Sequence, residues 1–412
     1  MTDATQRLVV LGTGFGGYSL ISRLPRRDFS ITVVSPRNYF LFYPLLASAT
    51  VGTVEFRSIV ESVPGRLSNV RLLQAEAVGI DFDARTVECR SVVGEHRFRI
   101  DYERLVIAVG AAVADYGVPG VREHCLTLRS IEDARAIRTG VLERFAEAQV
   151  PGLDADEVRR RLTVVVCGGG PTGVEVAAEI SDLLDRELAR DFPELAPLAR
   201  VVLVEALPRL LTGFDEALSG YARENFLREG IDVRLGAKVA AIAADRVVLA
   251  DGDEIPCGLT IWAAGNAPRP LVAGLDEPKD ERGRLLVDGH LRLVGHPEVH
   301  ALGDCAAMAD QPLPATAQVA QQEGKYLARA LRRERRGRAV KPFHLESSGM
   351  LAYVGGGRAL ADLPQVKWSG RGAWFFWRSV YVTKLVSNSN KLQVLFDWLK
   401  NRLFGRDTSR FG

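Results

Sequence analysis

LTVVVCGGGPTGVEVAAEISDLL, residues 162–184, is an apolar strand that stops in glycines and reopens as a helix. Leu162 to Cys167 is the kind of unbroken run found in strands covered on both faces. Gly168, Gly170 and Gly173 follow in G-x-G-x-x-G register. In that register the first glycine makes the tight turn, the second lets backbone approach a pyrophosphate, and the third permits close helix–strand packing. The phosphates would sit on the helix N-terminus. After a longer excursion, Val201–Val204 ends at Glu205, where a carboxylate binds ribose hydroxyls.

The same device stands earlier in the chain. Arg7–Leu11 is a buried-strand pattern, and Gly12-Thr13-Gly14-Phe15-Gly16-Gly17 opens a helix. Gly12 and Gly168 are 168 − 12 = 156 residues apart. A single such fingerprint is weak evidence, but two complete strand–loop–helix units predict two dinucleotide-binding domains. The first differs in one respect: its second strand, Ile31–Val34, ends at Ser35, and Ser35 and Arg37 are expected at the adenosine instead of a carboxylate. Return strands follow in both units, Leu105–Ala111 with Gly110 and Leu259–Gly265 ending at Gly265. The chain then re-enters the first domain at Val287-Asp288, so that domain is discontinuous. Val299, Ala301 and Leu302 form a short strand stopping at Gly303-Asp304, where a carboxylate accepts hydrogen bonds from sugar-like hydroxyls. A turn with Pro312 and Pro314 leads into a helix near Thr316. There Gln318, Gln321 and Gln322 share a face, interleaved with Ala317, Ala320 and Gly324, small residues that admit a flat ring. Read alone, that stretch is better taken as an ordinary polar helix start, and its meaning comes from the rest of the chain. The expected fold class is α/β: two Rossmann-like dinucleotide-binding domains and a C-terminal amphipathic helical segment. The boundaries are 1–115 with 280–345, then 116–279, then 346–412.

Composition narrows the function classes. The chain has 412 residues, 47% hydrophobic and 25% charged, and 39 glycines that signal many tight loops. A net charge of +2 implies no polyelectrolyte partner and no nucleic acid. The five cysteines show neither C-x-x-C nor zinc-ligand spacing, so no metal site and no redox pair is expected. Asn38–Leu46, with Pro44 and Leu45, reads either as a hydrophobic core loop or as a wall beside a planar cofactor. The N-terminus shows no targeting sequence, and no apolar run is long enough to span a bilayer. Residues 130–149 read as an amphipathic helix, and the basic run 329–341 as a solvated helix end. The tail is different. From residue 365 onward nine Lys/Arg face two Asp. Residues 373–386 form an aromatic-rich helix, and a second helix carries Leu392, Leu395, Phe396, Leu399, Leu403 and Phe404 with basic flanks. Such helices suit a lipid interface or a dimer surface.

With VVLGTGFGG, SPRNYFLFYPLLASATVGTVE, VVVCGGGPTGVEVAAEISDL, ALGDCA, ATAQVAQQEGKYLA and a tail ending FDWLK, the chain resembles the type II NADH:quinone oxidoreductases over nearly its whole length. These are single-subunit, non-proton-pumping flavoprotein NADH dehydrogenases of the FAD/NAD(P)-binding pyridine nucleotide-disulfide oxidoreductase superfamily. Tyr43 and Gln321 depart from the family pattern. The resemblance implies FAD in the first domain, with Gly12, Gly14 and Gly17 at the pyrophosphate and Asp304 at the ribitol. It implies NADH in the second, with Gly168, Gly170, Gly173 and Glu205. It implies electron transfer to a membrane quinone, with Glu175 on the nicotinamide side, pointing toward the inter-domain gap, and Gln318 and Gln322 at the quinone. It further implies a peripheral place on the cytoplasmic face of a bacterial inner membrane, and a homodimer. Two rivals are a sulfide:quinone oxidoreductase, which needs a cysteine pair, and a redox-sensing flavoprotein that works by partner binding.

Overall fold

The computed structural model describes residues 5–25, 27–68, 70–311 and 313–409; Pro312 lies outside the described residues. The chain divides into two compact units. The first comprises Met1–Leu41, Val60–Ala112 and Asn266–Glu346, the second Phe42–Ile59, Val113–Gly265 and Ser347–Gly412. Three stretches fall differently from the boundaries drawn on the sequence. Residues 266–279 go to the first unit, where the helix Pro270–Gly274 packs against Val70–Asp81. Residues 42–59 go to the second unit because the helix Leu46–Thr50 packs there against Ile131–Ala148 and Pro171–Leu183. The tail also belongs to the second unit.

In the first unit, Gln6–Leu11 pairs in parallel with Phe29–Ser35 on one side and Arg104–Ile107 on the other. The parallel array continues outward to Val70–Asp81 and to His296–Ala301. Leu8, Val10 and Leu11 are fully buried, which explains why that strand reads as a continuous apolar run. Because the strands on either side of Gln6–Leu11 are reached in opposite directions along the chain, a crevice opens at its carboxyl end, where Gly12 stands. The helix Phe15–Ile21 then packs against Ala317–Glu334. That crossing is close: a side chain on Gly324 would collide with the Gly16 carbonyl, and one on Gly16 with Leu302.

The second unit repeats the plan in a parallel five-stranded sheet ordered Cys125–Thr127, Leu259–Trp262, Thr163–Cys167, Arg200–Glu205, Asp232–Leu235. The expected amphipathic helix is Ile131–Ala148, fixed by a reciprocal capping box between Ser130 and Asp133. The tail starts as an antiparallel sheet, Met350–Tyr353, Ala359–Asp362 and Lys367–Gly370. The helices Arg371–Lys384 and Asn388–Phe404 follow. No helix among the described residues is long and apolar enough to cross a membrane.

Candidate functional site

The two glycine loops match position by position. Gly12 and Gly168 both sit in the left-handed region, at φ +104° and +117°. A side chain on Gly12 would collide with the Ala108 carbonyl, and one on Gly168 would lie 3.0 Å from Ala263 backbone. Gly17 and Gly173 lie against the carbonyls of Gly12 and Gly168, so neither tolerates a side chain. Gly14 and Gly170 are the opposite case, with no heavy atom within 4 Å of where a Cβ would stand. Both are N-caps with no side-chain hydrogen bond to the helix, and no acidic residue occupies either first turn. Elsewhere Ser130, Asp215, Thr316 and Ser387 satisfy that role with their own oxygens. Two helix ends are thus left with open N–H groups facing space, which is what a pyrophosphate requires. The residues present fit two dinucleotides.

At the neighbouring strand ends the loops diverge. Glu205 accepts from the backbone N–H of Gly169 (2.5 Å) and of Leu207 (2.7 Å). Each carboxylate oxygen keeps a lone pair for a ribose hydroxyl. Ser35 is buried, and its proton is already committed. Thr13 Oγ1 donates to Tyr39 O (3.1 Å), so the 3.0 Å contact between the two hydroxyls has Ser35 as donor. Ser35 Oγ in turn accepts from Arg37 N at 3.2 Å. Ser35, expected at the adenosine, fastens the glycine loop to the next strand. The Arg37 guanidinium lies 5.9 Å from the centre of the Tyr39 ring. Phe15 packs edge-on against Phe40 at 5.0 Å.

Asp304 follows Gly303 in a short turn, half-buried. Gly303 has φ +73°, and its N–H donates to Glu323 Oε2 at 2.7 Å. Burial pushes the Glu323 carboxyl up to about 7, with the Gly303 bond pulling the other way and Asp304 adding to the rise. Gln318 and Gln322 do share a face, but their amides are engaged. Both donate to Glu346 O, at 3.1 and 2.8 Å, and Gln322 Oε1 accepts from Glu346 N at 3.0 Å. Ala317 opens this helix half-buried, after the Thr316 cap.

In the second unit, Glu175 is buried and its Oε1 accepts from Tyr353 N at 3.1 Å. Burial raises its carboxyl to about 8. The rings of Tyr353, Trp377 and Tyr381 follow one another at 5.8 and 4.7 Å. Leu45 is fully buried in the turn Tyr43–Leu45, and Pro44 is half-buried beside it. Gly110 and Gly265 close the two return strands with φ +68° and +71°.

Comparison with known proteins places this geometry. Residues 6–324 match the model of the pyridine nucleotide-disulphide oxidoreductases, and residues 348–407 that of the NDH2 C-terminal domain. A probable NADH dehydrogenase of Dictyostelium discoideum is 38% identical over 98% of this chain and 91% of its own length. The chain belongs to the type II NADH dehydrogenases. Another relative, the external alternative NADH-ubiquinone oxidoreductase of Yarrowia lipolytica mitochondria, is 38% identical over 98% of this chain and 80% of its own. The structure of NDH2 from Plasmodium falciparum in complex with NADH superimposes with a TM-score of 0.95, covering 98% of this chain and all of that one at 24% identity. The sulfide:quinone oxidoreductase of Aquifex aeolicus has the same fold at a TM-score of 0.73 and 20% identity, covering 98% of this chain and 96% of its own.

For a type II NADH dehydrogenase, two clusters went unread in the sequence. One is Glu323, whose only signal was an acidic residue on the small-residue face of the glutamine helix. The other surrounds Glu179, one turn beyond Glu175. It accepts from Ser48 Oγ (2.6 Å) and Thr53 Oγ1 (2.8 Å). Arg406, from the last residues of the tail, lies 3.8 Å from Glu179 and 3.4 Å from Glu187. All three charged side chains are buried.

Proposed function

We infer that this flavoprotein oxidises NADH and delivers two electrons to a membrane quinone without pumping protons. The observation that carries the reading is the pair of uncapped glycine-loop helix ends, only one of which has a strand-end carboxylate, Glu205, beside it. The loop beside Glu205 takes NADH, whose ribose hydroxyls donate to the carboxylate. The loop of Gly12, Gly14 and Gly17 holds the FAD pyrophosphate, with Asp304 accepting from the ribitol. FAD bound there supplies the two-electron relay between the substrates. Glu175, kept largely protonated near neutral pH by burial, is assigned to the nicotinamide side. Gln318 and Gln322 position the 346 segment and offer their remaining N–H groups to the quinone carbonyls.

The tail supports a lipid interface. Helix Asn388–Phe404 turns its polar side inward. Asn390 donates to Ser58 O (2.9 Å), Asp397 accepts from Ser58 Oγ (2.6 Å), and Asn401 donates to Gly52 O (2.8 Å). Leu392, Phe396, Leu403 and Phe404 face out, each at least 64% exposed. A helix that buries amides and exposes Leu and Phe needs an apolar cover. The +7 excess of the tail favours an anionic leaflet such as the cytoplasmic one. A second copy covering the same face is the competing arrangement.

Against the sulfide:quinone reading stands the state of the thiols. Cys305 is pushed by burial to about 12 and Cys167 well above its ordinary value, so neither supplies a thiolate. The test is an absorbance spectrum of the purified protein with parallel assays of quinone reduction by NADH and by sulfide. A flavin spectrum with NADH-dependent turnover is expected. Sulfide-dependent quinone reduction in place of NADH oxidation would overturn the reading.

A further inference from the structure

We propose that a groove at the root of helix Asn388–Phe404 binds one anionic phospholipid of the bilayer. The proposal rests on the membrane reading above and adds a defined headgroup site to it. The groove, about 700 Å3, runs between residues 55–58, Arg135 and the outward side of the helix at Leu392 and Phe396. That volume falls within the roughly 300–1,000 Å3 usual for small-ligand sites.

Its lining combines two chemistries. Arg57 and Arg135 are both exposed, and neither has a carboxylate partner among the described residues. The Arg135 guanidinium lies 5.6 Å from the centre of the Phe56 ring, which steadies its position. Two acidic side chains also line the groove, but each is already engaged. Asp397 is buried and accepts from Ser58 Oγ (2.6 Å) and Glu55 N (3.0 Å). Glu55 pairs with Lys400 at 3.3 Å. What remains is a pair of fork-shaped donors suited to a phosphodiester. The apolar part of the lining is Leu392 and Phe396, 68% and 64% exposed, on the helix face that also carries Leu395 and Leu399. A soluble anion has no use for that wall. An acyl chain does.

The measurement is flotation of the full-length, cofactor-loaded protein with phosphatidylcholine vesicles, with and without a minor fraction of phosphatidylglycerol. The wild type should prefer the anionic vesicles. The double variant R57Q/R135Q should lose about tenfold or more on those vesicles while keeping its binding to pure phosphatidylcholine. The charge-matched R223Q/R282Q, at exposed arginines outside the groove, should keep the preference. NADH–ferricyanide turnover of both variants verifies folding. Retained preference in R57Q/R135Q, or equal loss in both double variants, would overturn the site in favour of diffuse charge. Displacement from the vesicles by inorganic phosphate at constant ionic strength would likewise overturn it, in favour of a soluble-anion site. A wild type that binds both vesicles equally sinks this proposal alone, whereas one that floats with neither sinks the membrane reading beneath it.

Discussion

Glu323 is a buried carboxyl pulled two ways, with burial favouring the proton and the Gly303 N–H favouring the charge. Burial wins, raising the group from its ordinary 4.5 to about 7. A carboxyl so raised holds an extra proton in the folded state, so its contribution to stability is complete below 4.5 and is lost as pH rises through about 7. The loss is on the order of 3 kcal/mol at most. Glu323→Gln keeps an oxygen for Gly303 and has no proton to lose. Its thermal midpoint should therefore fall less than the wild type's across that window; parallel curves would show that Glu323 does not titrate there. Under the proposed function, cofactor choice is assigned to Glu205. Its carboxylate should disfavour a 2′-phosphate, giving NADH at least a ~10-fold advantage over NADPH in kcat/KM, or about 1.4 kcal/mol; equal efficiencies would refute the assignment. Glu205 was legible because strand, loop and carboxylate follow a fixed spacing. The partner of Gln318 and Gln322 was not, because Glu346 Oε plays no part: the clamp uses its backbone, which no residue type announces. Gln322→Leu removes a paired amide contact worth about 1 kcal/mol and should slow reoxidation by quinone while leaving reduction by NADH unchanged. Stopped-flow absorbance distinguishes these, and the reverse pattern would remove the helix from the quinone site.

Among the elements, the tail helices show what an apolar pattern can and cannot disclose. The run of Leu and Phe from 392 to 404 announced an amphipathic helix, but periodicity alone does not say which face is inside. Asn390, Asp397 and Asn401 decide it by meeting backbone and hydroxyl groups of residues 52–58. Four serines in place of Leu395, Leu399, Leu403 and Phe404 should weaken vesicle association more than about a hundredfold, since burying even half of each side chain in lipid gives about 1 kcal/mol. NADH–ferricyanide turnover should persist. Undiminished flotation would show that the face meets something other than lipid, and a changed oligomeric state would identify a second copy. After that helix the chain closes on itself through Arg406, set between Glu179 and Glu187. Arg406→Met would strand two buried carboxylates, and about 3–5 kcal/mol should be lost. A lowered urea midpoint reports it, and adding Glu179→Gln and Glu187→Gln should restore most of the loss. An unchanged midpoint in the single variant would mean the latch contributes nothing.

On the scale of the molecule, one device is used twice with one substitution. Both units place a parallel sheet behind a glycine loop and leave the following helix uncapped, and the return strands end in glycines of the same handedness. That much was legible, since strand runs and glycine spacing are local in sequence. The assignment of residues 42–59 and of the tail to the second unit was not, because it depends on packing against helices about a hundred or more residues away. The duplicated loops serve two consecutive electron-transfer partners, NADH and FAD, with quinone as the final acceptor. Anaerobic stopped-flow mixing in two stages tests this most directly. NADH alone should bleach the flavin band in a single turnover, and quinone added afterwards should restore it at a rate at least equal to steady-state turnover. A flavin that NADH leaves oxidised, or that quinone restores more slowly than the enzyme turns over, would contradict it.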